Sequence, residues 1–310
     1  MKVSSVYIIG NGFDLHHQIR SSFNQFKAYV KKCDNELYTA IEEFLPVDDS
    51  WSDLEESFAH IDIHNMTEQA LDFLQSYNTE DWSDSYHHDY QFAITETVDL
   101  LSTKLVARFT EWISKLEIPP EGAINVSSLS LERDASYFSF NYTNTLNEIY
   151  NIDDRKILYI HGKVDDEWSD VVLGHAWEPR DIPSLNSNVE VDNVDTRIME
   201  GNQILDDYFG KTFKPIQSLI QLNSNYFNSL NEVNNVYVLG HSLSEVDIEY
   251  FMKITKSVPN SARWYVSYYG DKELQHHKKV ILNLGIQECS SEFFELSSGM
   301  PKLKKLLERN

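Results

Sequence analysis

The chain has 310 residues and a net charge of −23, with 41% hydrophobic and 13% aromatic residues. That is enough apolar material for one large domain or two ordinary ones, and it argues against wholesale disorder. No apolar run approaches the roughly 20 residues of a membrane span. The two cysteines, Cys33 and Cys289, have no pairing pattern, so a cytoplasmic protein with free thiols is expected.

The first predicted element is a buried strand. Val6-Tyr7-Ile8-Ile9 is a short apolar, β-branched run that stops at Gly10-Asn11-Gly12-Phe13-Asp14 and leads into a helical pattern. Gly10 would let the chain turn off the strand. Gly12, lacking a side chain, would let the backbone approach a phosphate at the helix N-terminus. Gly12→Val is then expected to block nucleotide binding in a chain that still folds. The third glycine of the dinucleotide fingerprint is absent, which excludes a dehydrogenase-type match and leaves an ordinary βα turn as the alternative. Asp14 reads either as a site residue or as a cap of the first helix.

Helical patterns follow. One runs from Leu15 to about Lys32, with Phe23, Phe26 and Val30 on one face. Leu37, Ile41, Phe44 and Leu45 form the next, broken by Pro46. Trp51, Leu54 and Phe58 form a third, and Met66, Ala70, Phe73, Leu74 and Tyr77 a fourth. The longest takes in Ile94, Val98, Leu101, Leu105, Phe109, Trp112 and Leu116, and ends at Pro119-Pro120. Residues 20–133 therefore read as an all-helical insertion, and residues 1–19 with 134–310 as a discontinuous α/β core. Between residues 34 and 103 there are 18 Asp and Glu and no Lys or Arg. Such a segment repels nucleic acid and anionic membrane, so neither is an expected partner. It reads as a solvated helical surface, with a docking face for a basic protein partner as the sharper alternative.

Beyond Pro120 the pattern changes. Residues 136–140, 157–160, 171–173, 236–239 and 264–268 are predicted strands, with helical patterns around 198–231, 247–257 and 271–284. The alternation predicts a mainly parallel sheet covered on both faces. Residues 178–196 read as a loop.

Four strand ends carry polar clusters: Gly10 to Asp14, Asn141-Tyr142-Thr143-Asn144, His161-Gly162, and Gly240-His241-Ser242 with Asp247. Ligands of open parallel sheets sit outside the carboxyl ends of the strands, so four such clusters predict one site. His175 is expected beside it. The pairs His16-His17, His87-His88 and His276-His277 lack a matching second pair, and no metal is expected. Asp53 and Glu55, beside Trp51, read as solvated acids.

Taken in order, six motifs resemble the AbiH family of bacteriophage abortive-infection proteins over essentially the whole chain. They are Ile9-Gly10-Asn11-Gly12-Phe13-Asp14-Leu15, Trp51 with Asp53-Leu54-Glu55, Phe140-Asn141-Tyr142-Thr143, Ile160-His161-Gly162, Leu173-Gly174-His175, and Leu239-Gly240-His241-Ser242 with Asp247. The order is also similar, remotely, to a sirtuin layout: a Gly-rich first turn, an Asn after a later strand, a His-Gly strand end about twenty residues on, and a Gly-x-Ser turn.

The resemblance implies an α/β, Rossmann-like, sirtuin-related sheet in a bacterial cytoplasmic protein. It implies NAD as substrate or ligand and an anti-phage NAD glycohydrolase activity. Asn141 and His161 would be catalytic, and Gly10, Asn11, Gly12, Phe13, Asp14, Tyr142, Thr143, Gly162, Gly240, His241, Ser242 and Asp247 would contact the nucleotide. Asn141 suits holding a water or a ribose hydroxyl, and His161 suits a general base or a ribose contact. Two lone cysteines cannot supply the zinc pairs of deacylating sirtuins, so lysine deacylation is not expected. The competing readings are a catalytically silent nucleotide sensor and, against the charge, a nuclease. A phage-derived trigger and a homo-oligomer stay open as partners.

Overall fold

The computed structural model describes residues 4–76, 88–120, 129–164, 171–187 and 195–301. Tyr77, His87 and residues 188–194 of the predicted loop lie outside the described residues. In chain order the elements are β1 (Ser5–Ile9), α1 (Asn11–His16), α2 (Phe23–Cys33), α3 (Asn35–Phe44), α4 (Leu54–Ser57), α5 (Ile63–Ala70), α6 (Asp89–Asp99) and α7 (Leu105–Ser114). There follow β2 (Ser136–Ser139), α8 (Thr145–Tyr150), β3 (Ile157–Tyr159), α9 (Thr196–Lys211), α10 (Ile216–Leu222) and α11 (Ser224–Ser229). The last are β4 (Asn235–Leu239), α12 (Ile248–Ser257), β5 (Arg263–Tyr268), α13 (Gly270–Asn283) and β6 (Ser291–Glu295). No helix among the described residues is long and apolar enough to cross a membrane.

The chain divides into two compact units: Met1–Ser21 with Leu116–Asp170 and Ile216–Asn310, and Ser22–Lys115 with Val171–Pro215. The first unit holds a six-stranded sheet of order β3-β2-β1-β4-β5-β6, parallel throughout. This is a doubly wound, Rossmann-like order. It reverses direction between β1 and β4, which opens a crevice beyond the ends of those two strands.

Strand alternation builds the two faces. Tyr7, Tyr137, Tyr237 and Tyr265 share one register on four adjacent strands, and their rings stack at 4.7–5.1 Å. Each such pair contributes about 0.5–1.5 kcal/mol beyond its burial. Phe13 of α1 and Leu146 of α8 close the core on that face. On the other face Phe138 meets Phe227 of α11 and Tyr250 of α12.

Three expectations are corrected here. Residues 171–173 form no strand; the nearby pairing is a single bridge between His175 and Phe213. Conversely β6 escapes the pattern, because Ser-Glu-Phe-Phe-Glu at a sheet edge buries only Phe294. The helix expected from Leu15 breaks instead at Gln18, which has φ 62°. Asn11 Nδ2 donates to the Ser21 carbonyl (3.0 Å) and the Ser21 hydroxyl donates to Asn11 Oδ1 (2.6 Å), and a capping box at Ser22 and Gln25 starts α2 afresh.

The second unit is helical. A π turn at Leu100–Lys104 joins α6 to α7. It draws in residues 171–215 because α9 lies against α6: a Cβ on Gly201 would come within 2.5 Å of Tyr90. The acid-rich run is partly neutralised inside this unit by bases from outside the run. Lys27 pairs with Glu42 at 2.7 Å, Lys104 with Glu36 at 2.9 Å, Arg108 with Asp34 at 2.9 Å and Lys211 with Asp99 at 2.9 Å.

Candidate functional site

The turns after β1 and β4 are pressed together at the reversal point. Gly10 donates its N–H to the Leu239 carbonyl (3.0 Å), and Gly12 donates to the Gly240 carbonyl (2.7 Å). A Cβ on Gly12 would stand 2.9 Å from Gly240 Cα, and one on Gly240, which has φ +65°, would stand 2.1 Å from the Phe13 nitrogen. The missing side chains thus serve the packing of one turn on the other. The expectation that Gly12→Val leaves the fold intact is corrected, because a valine would push against backbone. The Phe13 N–H is also engaged, on the Gly10 carbonyl at 2.9 Å.

Asp14 is not a helix cap; Gly10 holds that position. Its carboxylate is 1% exposed and is held between α1 and the β2–α8 turn. The Thr143 hydroxyl donates to one oxygen at 2.6 Å, and the Thr145 hydroxyl donates to the other at 2.7 Å. The nearby Asn141 amide also favours the ionised form. Burial outweighs these donors and pushes the Asp14 carboxyl up to about 6. Asn141, 7% exposed, also donates to the Gly10 carbonyl at 3.1 Å, which ties the second strand end to the first turn. His17 secures the far end of α1. Its Nδ1 donates to the Phe13 carbonyl and its Nε2 accepts from the Tyr150 hydroxyl, both at 2.7 Å, and burial pulls it down to about 4.

On the opposite face of the sheet, His161, His241 and Asp247 come together. The sheet ladder runs on past the strand ends, with Phe140 N–H on Ile9 and Ile160 N–H on Ser139. That places His161 beside Asn141 on neighbouring strand ends. His161 Nε2 lies 3.7 Å from one Asp247 oxygen, and His241 Nε2 lies 3.5 Å from the other. All three residues are buried, at 3%, 4% and 6% exposure. The Leu243 N–H donates to His241 Nδ1 at 2.9 Å, so neutral His241 carries its proton on Nε2, towards Asp247. Aromatic rings wall this cluster. Phe140 packs edge-on to both histidines at 5.3 and 4.2 Å, and Tyr250 sits 5.6 Å from His161. Tyr142 approaches His161 at 6.3 Å, and Gly162 takes the left-handed conformation that the turn after β3 needs, at φ 85°.

Sequence reasoning passed over several residues that shape this site. Thr145 shares the Asp14 carboxylate with Thr143, and the two hydroxyls stand two residues apart in a turn, a spacing that puts both on one side. The pair His276-His277 had no assigned purpose. His276 Nε2 donates to the Leu243 carbonyl (3.2 Å) and His277 Nε2 to the Ser242 carbonyl (3.3 Å), so α13 grips the turn that carries His241. That grip matters because Leu243 has φ 54°, an uncommon value for a non-glycine residue. His175 belongs to the second unit. Its Nε2 donates to the Phe209 carbonyl and its Nδ1 accepts from the Trp177 N–H, both at 3.1 Å. Trp51, also in the second unit, is fully buried and donates to Glu42 at 2.6 Å. Glu55 is no ordinary solvated acid: it pairs at 2.9 Å with Lys214, which is wholly buried.

A parallel sheet in reversing order, with polar side chains gathered beyond its central strand ends, defines a Rossmann-like α/β protein with a candidate ligand site at the sheet edge. The family model described as "Bacteriophage abortive infection AbiH" matches residues 6–268, from β1 through β5. The chain belongs to the AbiH family, and its role accordingly lies in abortive-infection defence against bacteriophage. No curated protein and no solved structure matches it.

Proposed function

We propose that this chain binds NAD at the carboxyl edge of its parallel sheet and hydrolyses it on infection, releasing nicotinamide and ADP-ribose. Loss of NAD would halt the infected cell before phage is released. The observation that carries this reading is the meeting of His161, His241 and Asp247 at strand ends beside the sheet reversal, with Asn141 on the neighbouring strand end.

The chemistry asks little beyond what these residues supply. Water adds to C1′ of the nicotinamide ribose while the N-glycosidic bond breaks. The bonding electron pair leaves with nicotinamide, whose ring nitrogen becomes neutral. The proton of the attacking water passes to His161. The imidazolium so formed finds a counter-charge in Asp247, 3.7 Å away. Asn141 holds the water or a ribose hydroxyl in line, which supplies the orientation such a reaction needs.

Purified chain incubated with NAD, with and without lysate of infected cells, and followed for nicotinamide release tests the proposal. Release that falls at least ~100-fold in His161→Ala supports it. Saturable NAD binding without release in either condition overturns the hydrolase and leaves a sensor. Neither binding nor release overturns the reading altogether.

A further inference from the structure

We infer that His276 and His277 of α13 are positioning residues: they hold the turn after β4 so that the Leu243 N–H stays on His241 Nδ1, which makes His241 a fixed donor towards Asp247 and leaves His161 to take the proton. The inference rests on the NAD reading for the reaction served, and on the hydrogen bonds alone for the state of His241.

A neutral imidazole has one N–H and one acceptor nitrogen. The acceptor of His241 is Nδ1, which receives the Leu243 N–H at 2.9 Å, so its proton sits on Nε2, 3.5 Å from one Asp247 oxygen. In that state the ring has no lone pair left for the proton of a water or for a cation. The two histidines at Asp247 are therefore not equivalent. His241 holds the carboxylate from one side, and the base of the proposed reaction falls to His161, 3.7 Å from the other oxygen.

The state of His241 depends on a turn that would not hold itself. Leu243 is 1% exposed and has φ 54°, a conformation that a branched side chain keeps only where its surroundings impose it. Three side chains do so. The Ser267 hydroxyl accepts the Gly240 N–H at 2.7 Å where the turn begins. His277 Nε2 donates to the Ser242 carbonyl at 3.3 Å, and His276 Nε2 donates to the Leu243 carbonyl at 3.2 Å. Leu243 thus has its carbonyl on α13 and its N–H on His241. His277 is wholly buried and held neutral, pulled down to about 4 by that burial, whereas His276 is exposed. Glu273, one turn earlier on α13, stands 3.8 Å from His277 Nε2 and accepts the Tyr269 N–H, and its charge favours the His277 proton on that nitrogen. Packing alone would be met by an apolar residue at position 277; a buried imidazole adds a donor.

Selective ¹⁵N-histidine labelling of the full chain reads the ring tautomers without any ligand. At about pH 8 the Nε2–H tautomer of His241 should outnumber the other by at least ~10-fold. An even mixture, or an Nδ1–H ring, overturns the inference at once. His276→Leu removes a donor at an exposed position, and His277→Leu removes one from the interior. In each, the His241 ring should shift to a mixture of tautomers. His276→Gln and His277→Gln, which offer an amide N–H to the same carbonyls, should restore most of the wild-type ratio. A wild-type ratio in either folded leucine variant, or glutamine variants no better than leucine, overturns the inference. Should His277→Leu fail to fold, His276→Leu still decides. The activity arm follows NAD cleavage: His276→Leu should lower kcat at least ~10-fold with KM nearly unchanged, and His276→Gln should recover most of it. Unchanged kcat in a variant whose tautomer has shifted overturns the link to the reaction. If NAD is not cleaved at all, the functional reading fails while the labelling still decides the state of His241.

Discussion

Asp14 and Asp247 are both buried carboxylates at the carboxyl edge of one sheet, one on the tyrosine face beside α1 and the other on the opposite face at the start of α12. Asp14 receives hydroxyl donors at 2.6 and 2.7 Å, both from neutral side chains of the β2–α8 turn. Asp247 faces two imidazoles at 3.5 and 3.7 Å, beyond the range of a hydrogen bond for those atoms and inside that of an ion pair. The contrast teaches a division of labour. A carboxylate saturated by short neutral bonds fixes geometry. One set between two imidazoles can answer a change in their charge.

Substitutions can break that division. The largest expected effect is on the saturated side. Asp14→Ala leaves the Thr143 and Thr145 hydroxyls without their shared acceptor, and buried donors without partners cost about 1–3 kcal/mol each. Denaturant unfolding at pH 7 should show a loss of about 3 kcal/mol; a loss below about 1 kcal/mol would mean that the hub is not a structural element. His161→Ala should do the reverse. NAD cleavage should fall on the order of 100-fold, equivalent to about 3 kcal/mol of barrier, in a chain that still folds.

A pH comparison sharpens the same contrast. The folded-state pKa of Asp14 is raised to about 6, above the ordinary carboxylate value. The folded chain thus binds the proton more tightly than the unfolded one, and this group costs stability above pH 6 and relaxes that cost as the pH falls. Asp14→Asn removes the response. The stability of the wild type relative to Asp14→Asn should therefore rise by about 1–2 kcal/mol between pH 7.5 and pH 5. The histidines act with the opposite sign in both chains. His17 and His277 are held down to about 4 by burial, so the stability they contribute is lost as the pH falls below about 6.5 towards 4. The smallest effect is expected for Asp247→Asn, which keeps shape and removes the charge facing His161. Cleavage should drop on the order of 10-fold, with kcat affected and the affinity for NAD retained; an unchanged kcat would detach Asp247 from the chemistry.

Much of this arrangement was legible in the residues. Tyr7, Phe138, Val238 and Val266 lie in short β-branched or aromatic runs that could only be buried strands, and the polar ends of four such runs fell on one edge. The rest depends on contacts between distant residues. Gly12 read as an opening for phosphate because nothing local shows that Gly240, more than two hundred residues away, occupies the space. Asp14 read either as a site residue or as a cap, because the local alternative to a ligand contact is the helix end; its partners in fact lie on the β2–α8 turn. His276-His277 lacked the spacing of ligands, and their purpose appears only when α13 lies against the turn after β4. β6 stayed hidden because an edge strand carries charge and buries little.

The most direct test is phage protection measured in cells that express the wild type and His161→Ala to equal levels, with the melting temperature of each purified chain beside it. Protection should vanish in His161→Ala while the purified chain still unfolds in one cooperative transition above the growth temperature. Full protection by a folded His161→Ala chain would contradict the account.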